Sequence, residues 1–220
     1  MNIILASGSS IRKQILSDAG VLFETEIKPI DEVAIKRSMQ QEGASNISIV
    51  SALAELKSIK VSANSPGLVI GADQIMVLGG AIYDKPKTIK EARERLLLMR
   101  NKTHCLMGSI VVSEGGVSVW RHNSKVELTA RNFSEEFIDH YVYKEGDALL
   151  KTVGAYRFEK RGSQLFSNVA GDFFSVLGLP LLPLLLAQDS PNTPPGRGFG
   201  GPGVLHFSSS RGLPLLLLTR

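Results

Sequence analysis

Residues 2–19 read NIILASGSSIRKQILSDA, and this stretch decides the architecture. The run 2–6 is short and apolar and predicts a buried strand, while Ser7-Gly8-Ser9-Ser10 predicts a tight loop. From 11 to 19 the apolar positions Ile11, Ile15, Leu16 and Ala19 share one helical face. Ser9 or Ser10 is placed to cap the start and Gly20 to close the end. Strand, tight loop and helix in that order open an α/β sheet, in which ligands collect at strand ends and loops.

Working outward, 21–27 alternates weakly as a strand, and the acidic turn Asp31-Glu32 leads into a polar helical stretch. A helix over 47–63 carries Val50, Leu53, Ala54 and Val61 in one stripe, with Lys57 inside it. The apolar run GLVIGAD at 67–73 predicts a strand that ends at Asp73, and 74–78 with 81–83 predicts a hairpin around Gly79-Gly80. Thr88-x-x-Glu91 is a capping box for a helix whose inner face is Ile89, Ala92, Leu96 and Met99. Strands are expected over 103–113 and 117–130, then a helix from Ser134 with Phe137, Ile138, Tyr141 and Val142 inward. Two more strands are expected within 162–177. Helices alternate with strands early and strands cluster late, so the expected class is a mixed-sheet α/β or α+β fold.

Composition narrows the function. Among 220 residues 43% are hydrophobic and 21% charged, which excludes collagen-like, coiled-coil and disordered chains. The net charge of +4 is mild, and aromatic residues, at 6%, do not interleave with basic runs, so no nucleic-acid partner is expected. A single cysteine, Cys105, excludes an intrachain disulfide and suits a reducing cytoplasm. The N-terminal stretch has no basic leader, so no signal peptide is expected. The apolar run at 176–187 contains two prolines and falls short of the roughly 20 residues that span a bilayer, so no membrane anchor is expected. Residues 188–220 hold five of the ten prolines and six of the 21 glycines. They read as a disordered extension beyond one domain at 1–187, ending in LPLLLLTR, and without them the net charge falls to +2.

Several residues can carry chemistry, each beside a plainer reading. The Ser7–Ser10 loop before a helix is a place to hold phosphate, sharpened by Arg12 and Lys13 in the first turn, where cations oppose the helix dipole unless an anion is near. The plainer reading points both side chains into water. Asp73 beside the small Gly71-Ala72 suits a metal ligand or general base, or else makes turn hydrogen bonds. Lys57 within an apolar stripe either snorkels or meets an anion. Lys85, stiffened by Pro86, is a further cation or a solvated loop residue. Asp31-Glu32 supplies carboxylates, or only complements a helix dipole. Together these groups form an inventory for a polyphosphate and a divalent metal: cations for phosphate, carboxylates for a hard ion, and a base for water.

The ordered segments LASGSSIRKQIL (5–16), DE (31–32), ALAELK (52–57), GADQIM (71–76), DKP (84–86), GAYRFEKRGSQLF (154–166) and GDFFSVLGLPL (171–181) resemble the Maf family of nucleoside triphosphate pyrophosphatases. The resemblance spans about 2–187. It implies a Maf/Ham-type, ITPase-like mixed sheet with two lobes around a nucleotide cleft, a homodimer, and hydrolysis of a nucleoside triphosphate to monophosphate and pyrophosphate with Mg²⁺ or Mn²⁺. By motif it makes Asp73 the proton acceptor that activates water, Ser7, Arg12, Lys57 and Lys85 phosphate-binding residues, and Glu32 with Asp73 the metal carboxylates. Family members acting on dTTP and UTP carry Arg, Thr and Gln where this chain has Ile11, Gln74 and Glu159. The last two look more like the subgroup acting on 7-methyl-GTP, although that subgroup often has Trp in place of Ile11. Glu159 can accept hydrogen bonds from a guanine-like base and favour a positively charged methylated ring. The plainer alternative is a surface charge in the run RFEKR. A second implied function is a non-enzymatic nucleotide-binding regulator of septum formation and cell division.

Overall fold

The first strand, β1 (Ile3–Leu5), is flanked by two parallel partners: Ile4 faces Glu24 of β2 (Glu24–Thr25), and Ile3, Ile4 and Leu5 face Leu68, Val69 and Ile70 of β3 (Leu68–Leu78). Parallel neighbours need crossover connections. Helix α1 (Ser10–Asp18) supplies the first, and α2 (Glu32–Gln41) with α3 (Asn46–Ser62) the second. The structure is a computed structural model, and residues 2–187 are described. The expectation for 188–220 lies outside the described residues.

Beyond β3 the chain turns through Gly79-Gly80 into β4 (Ala81–Tyr83), with Leu78 opposite Ala81. Both glycines have positive φ, 58° and 83°, as a two-residue hairpin loop of this twist requires. Helix α4 (Ile89–Met99) follows, then the long strands β5 (Thr103–Glu114) and β6 (Val117–Ala130). After α5 (Glu135–Glu145) come two 3₁₀ turns, β7 (Phe166–Ala170), α6 (Phe173–Val176) and α7 (Leu181–Leu186). The strands form one mixed sheet in the order β2-β1-β3-β5-β6-β7, with β4 beside β3. Seven α-helices accompany it among the described residues. The mixed-sheet α/β class expected from the sequence is the one observed.

Three local expectations differ. The strand at 21–27 shrinks to Glu24–Thr25, which pairs only with β1. The two strands expected within 162–177 are a 3₁₀ turn, a single strand, β7, antiparallel to β6, and the short helix α6. Asp73 does not end its strand: β3 runs on through it to Leu78.

The chain divides into two compact units. Among the described residues the first comprises 2–73, 108–123 and 178–187. In it α3 buries Ile49, Val50, Leu53, Ala54 and Val61 completely. The second comprises 74–107 and 124–177. Its core joins Leu96 and Met99 of α4 to Ile138, Tyr141 and Val142 of α5, with Leu149, Tyr156 and Leu165. Thr88 and Ser134 cap α4 and α5 with side-chain oxygens, as their positions in the sequence predict. No helix among the described residues is long and apolar enough to cross a membrane.

Candidate functional site

Lys57 lies on α3 with its side chain only 15% exposed, so it does not snorkel. Its Nζ donates to Asp73 Oδ1 at 2.7 Å and pairs with Glu32 Oε1 at 2.8 Å. The ammonium in the apolar stripe is therefore matched by anions, and it draws together carboxylates from the start of α2 and the middle of β3. The two carboxylate oxygens can be no further apart than these two contacts laid end to end. Asp31 fixes the entry of α2 by accepting from Ala34 N at 2.9 Å, which leaves Glu32 in the first turn.

This meeting depends on how closely α3 approaches β3. A Cβ on Gly71 would strike the Ala54 carbonyl and stand 2.8 Å from Ser58 N. Only glycine lets the helix backbone come so near the strand two residues before Asp73. Small side chains continue the seam, where Ser58 and Ser113 share a 2.7 Å hydroxyl contact.

Asp73 is 8% exposed. Its Oδ1 is held by Lys57, while its buried Oδ2 has no hydrogen-bond partner. A buried carboxylate oxygen left unpaired is costly unless a ligand, ion or water completes it.

Arg12 does not reach water either. It is 9% exposed, and its Nε donates to Gly178 O at 2.8 Å while Nη1 donates to Ala72 O at 2.8 Å and to Ser7 Oγ at 3.1 Å. Burial pulls the guanidinium below its ordinary value, and Asp73 and Glu32 act in the opposite direction. Arginine remains charged under such shifts. Ser7 Oγ also accepts from Ser9 N at 3.3 Å, so its hydroxyl shapes the loop, and Ser9 makes no side-chain cap. Ser7, Arg12, Glu32, Lys57 and Asp73 thus gather within the first unit, two cations and two carboxylates around a buried, unpaired oxygen.

The donor set fits a hard divalent cation: two carboxylates, one with an orphaned oxygen, and no sulfur or imidazole. No group of three or more His, Cys, Asp and Glu residues forms among the described residues. A divalent cation bound here would have a carboxylate pair as its protein ligands, with waters and phosphate oxygens to fill the rest of its shell.

The chain matches the Maf family (Maf-like protein) over residues 2–188. The chain belongs to the Maf family. It is similar to the nucleoside triphosphate pyrophosphatase of Paramagnetospirillum magneticum, 46% identical over 183 residues that cover 83% of this chain and 94% of the relative. It is similar also to the 7-methyl-GTP pyrophosphatase of Rhizobium meliloti, 44% identical over 184 residues, 83% of this chain and 92% of that one. A third relative, the 7-methyl-GTP pyrophosphatase of Brucella abortus, is 41% identical over 186 residues, 84% and 94% of the two chains.

The remaining candidates of this Maf chain are spread more widely. Ile11 is half-buried on α1 of the first unit. Gln74, Lys85 and Glu159 belong to the second unit. Gln74 Nε2 donates to Ser175 O at 2.8 Å, which ties β3 to α6. Lys85 is exposed in the loop between β4 and α4. Glu159 is half-buried and accepts from Arg157 Nε at 3.2 Å; Arg157 Nη1 also reaches the buried Glu145 at 3.4 Å. Nearby in the same core, His104 Nε2 and the Tyr156 hydroxyl share a 2.8 Å contact, and burial pulls His104 down to about 4.

The sequence marks Gly71 and Ala72 only as small residues beside Asp73, and gives no role to Gly178. Gly71 acts by lacking a side chain, and Ala72 and Gly178 act through their carbonyls. Gly178 falls in the GDFFSVLGLPL segment, whose match to the Maf pattern marked it without giving it a role.

Proposed function

We propose that this Maf chain hydrolyses nucleoside triphosphates at the α-phosphate, releasing a nucleoside monophosphate and pyrophosphate, and so keeps non-standard nucleotides out of nucleic acids. The observation that carries the reading is the divided state of Asp73. Lys57 holds Oδ1, which fixes the carboxylate, and leaves Oδ2 buried and unpaired. A carboxylate anchored at one oxygen and open at the other can orient a water and take its proton as the oxygen attacks phosphorus. The α–β anhydride bond then breaks and the electron pair leaves with pyrophosphate. Lys57 and Arg12 bring positive charge to the cluster, and Ser7 holds Arg12. Asp73 and Glu32 would hold Mg²⁺ or Mn²⁺, which when bound supplies charge neutralisation at phosphate oxygens. That addition suits a cluster whose own two cations and two carboxylates cancel.

Lys85 is assigned to phosphate and Glu159 to the base from the sequence pattern. Relatives bearing both activity names support two candidate substrates, a standard triphosphate and 7-methyl-GTP. Glu159 with Gln74 favours the methylated guanine, whose positive ring a carboxylate stabilises. The family resemblance supports a homodimer, and the lone Cys105 suits a reducing cytoplasm.

The test is a pyrophosphate-release screen over standard and methylated triphosphates with Mg²⁺ or Mn²⁺, run beside Asp73→Asn. Stoichiometric pyrophosphate from the wild-type chain and a loss of at least ~10² in kcat for the variant are expected. Orthophosphate alone, or turnover unaffected by Asp73→Asn, overturns the reading. Tight triphosphate binding without turnover across the panel would favour the regulator instead.

A further inference from the structure

Arg95 is a charged residue where its helix face calls for an apolar one. It lies on α4 among Ala92, Leu96 and Met99, in the core of the second unit, and is 6% exposed. Burying a guanidinium is costly, and burial pulls Arg95 below its ordinary value although it stays charged. Its Nε is buried without a partner. A well-packed hydrophobe in such a place is often as stable or more so, so stability alone accounts poorly for an arginine here.

What the arginine holds is informative. Nη1 donates to the carbonyls of Asp84 and, at 2.6 Å, Val153. Nη2 pairs with Glu91 Oε1 at 2.8 Å, and the guanidinium stands 5.3 Å from the Tyr83 ring centre. Glu91, in turn, accepts from Lys87 N at 2.8 Å. Arg95 and Glu91 are four residues apart on α4 and bonded to each other, and they grip the backbone on both sides of Lys85: Asp84 before it, Lys87 after it. Pro86 is buried between these holds. The bond to Val153 ties the same arginine to the start of the 154–166 segment, which carries Glu159.

We propose that Arg95 is a positioning residue: with Glu91 it fixes the backbone that presents Lys85 to the triphosphate, and couples that loop to the Glu159 segment. The proposal rests on the pyrophosphatase reading above, and it makes Arg95 act through Lys85 rather than on substrate directly.

The experiment is a double-mutant cycle. Arg95→Met is made alone and with Lys85→Ala, and kcat, KM and Tm are measured with the triphosphate that the wild-type chain turns over fastest. Arg95→Met alone is expected to lower kcat/KM about tenfold, as a lysine displaced by a fraction of an ångström or more requires. In the Lys85→Ala background the same change should cost less than about twofold, while the Tm shift stays equal in both backgrounds. Equal losses of kcat/KM in both backgrounds overturn the proposal and leave Arg95 a structural tie. Arg95→Lys, which keeps the charge and can reach one carbonyl, is read by the same criterion if the methionine variant does not fold. Absence of wild-type turnover overturns the pyrophosphatase reading itself, and the Arg95 proposal with it.

Discussion

Replacing Gly71 with alanine adds one methyl group and tests how the candidate site is assembled. The φ of Gly71 is not in the left-handed region, so the cost is steric. The new Cβ would meet the Ala54 carbonyl and stand 2.8 Å from Ser58 N and 2.9 Å from Ser58 Cβ, where ordinary contact begins at 3.4 Å. To relieve this, α3 must move off β3 by roughly 1 Å, which, for a catalytic constellation, costs on the order of 10² in rate. Lys57 precedes Ser58 on that helix, and its contacts of 2.7 and 2.8 Å to Asp73 and Glu32 do not survive such a shift. Overpacking of this kind destabilises by about 1–3 kcal/mol, and for a chain of this size each kcal/mol lowers Tm by about 2–4 °C. The assay pairs thermal unfolding with pyrophosphate release. A folded Gly71→Ala protein with wild-type Tm and turnover would refute the argument that close approach of α3 places Lys57.

The pH dependence of stability should report His104. Its ordinary value is 6.5 and the folded value is about 4, so between these the unfolded chain binds a proton that the folded chain refuses. Stability from this source is complete above about pH 6.5 and is lost as pH falls toward 4, by up to about 1.4 kcal/mol per pH unit. Denaturant titrations should show a shallower acid loss for His104→Gln, which can still reach the Tyr156 hydroxyl, and identical slopes would contradict the assignment. Removal of divalent cations by a chelator should abolish pyrophosphate release, with recovery on adding Mg²⁺ or Mn²⁺; full turnover in the chelator would remove Glu32 and Asp73 from any metal role.

Local signals in the sequence were read where local chemistry decides the structure. Thr88 and Ser134 cap helices because a hydroxyl at that position satisfies a backbone N–H whatever the rest of the chain does. Gly79-Gly80 turns a hairpin because two positive φ angles are needed there. The errors arise where packing against other backbone segments decides. Gly71-Ala72-Asp73 looks like a strand ending, yet the run before it and the first arm of the expected hairpin join into one strand, β3, which lies between β1 and β5 in the sheet. The run 162–177 looks like two strands, but Gly162 sits where a side chain would strike the backbone of Arg157, and the chain coils into a 3₁₀ turn before β7 begins.

The same division separates the two central cations. Both Arg12 and Lys57 interrupt apolar patterns, and both are buried, yet their partners differ in kind. Arg12 donates to the carbonyls of Ala72 and Gly178 and to the hydroxyl of Ser7, neutral acceptors that come from three parts of the first unit. Those bonds hold backbone in place, and no pattern near residue 12 announces them. Lys57 meets only carboxylates in its closest contacts, Asp73 and Glu32. An ammonium between two carboxylates restrains their mutual repulsion, and on Asp73 it leaves a second oxygen unpaired. Arg12 therefore builds the wall beside Asp73, whereas Lys57 holds one oxygen of the acid and so fixes its orientation. Removing Lys57 should accordingly impair chemistry at Asp73 directly, while removing Arg12 should first loosen the Ser7 loop and the turn at Gly178.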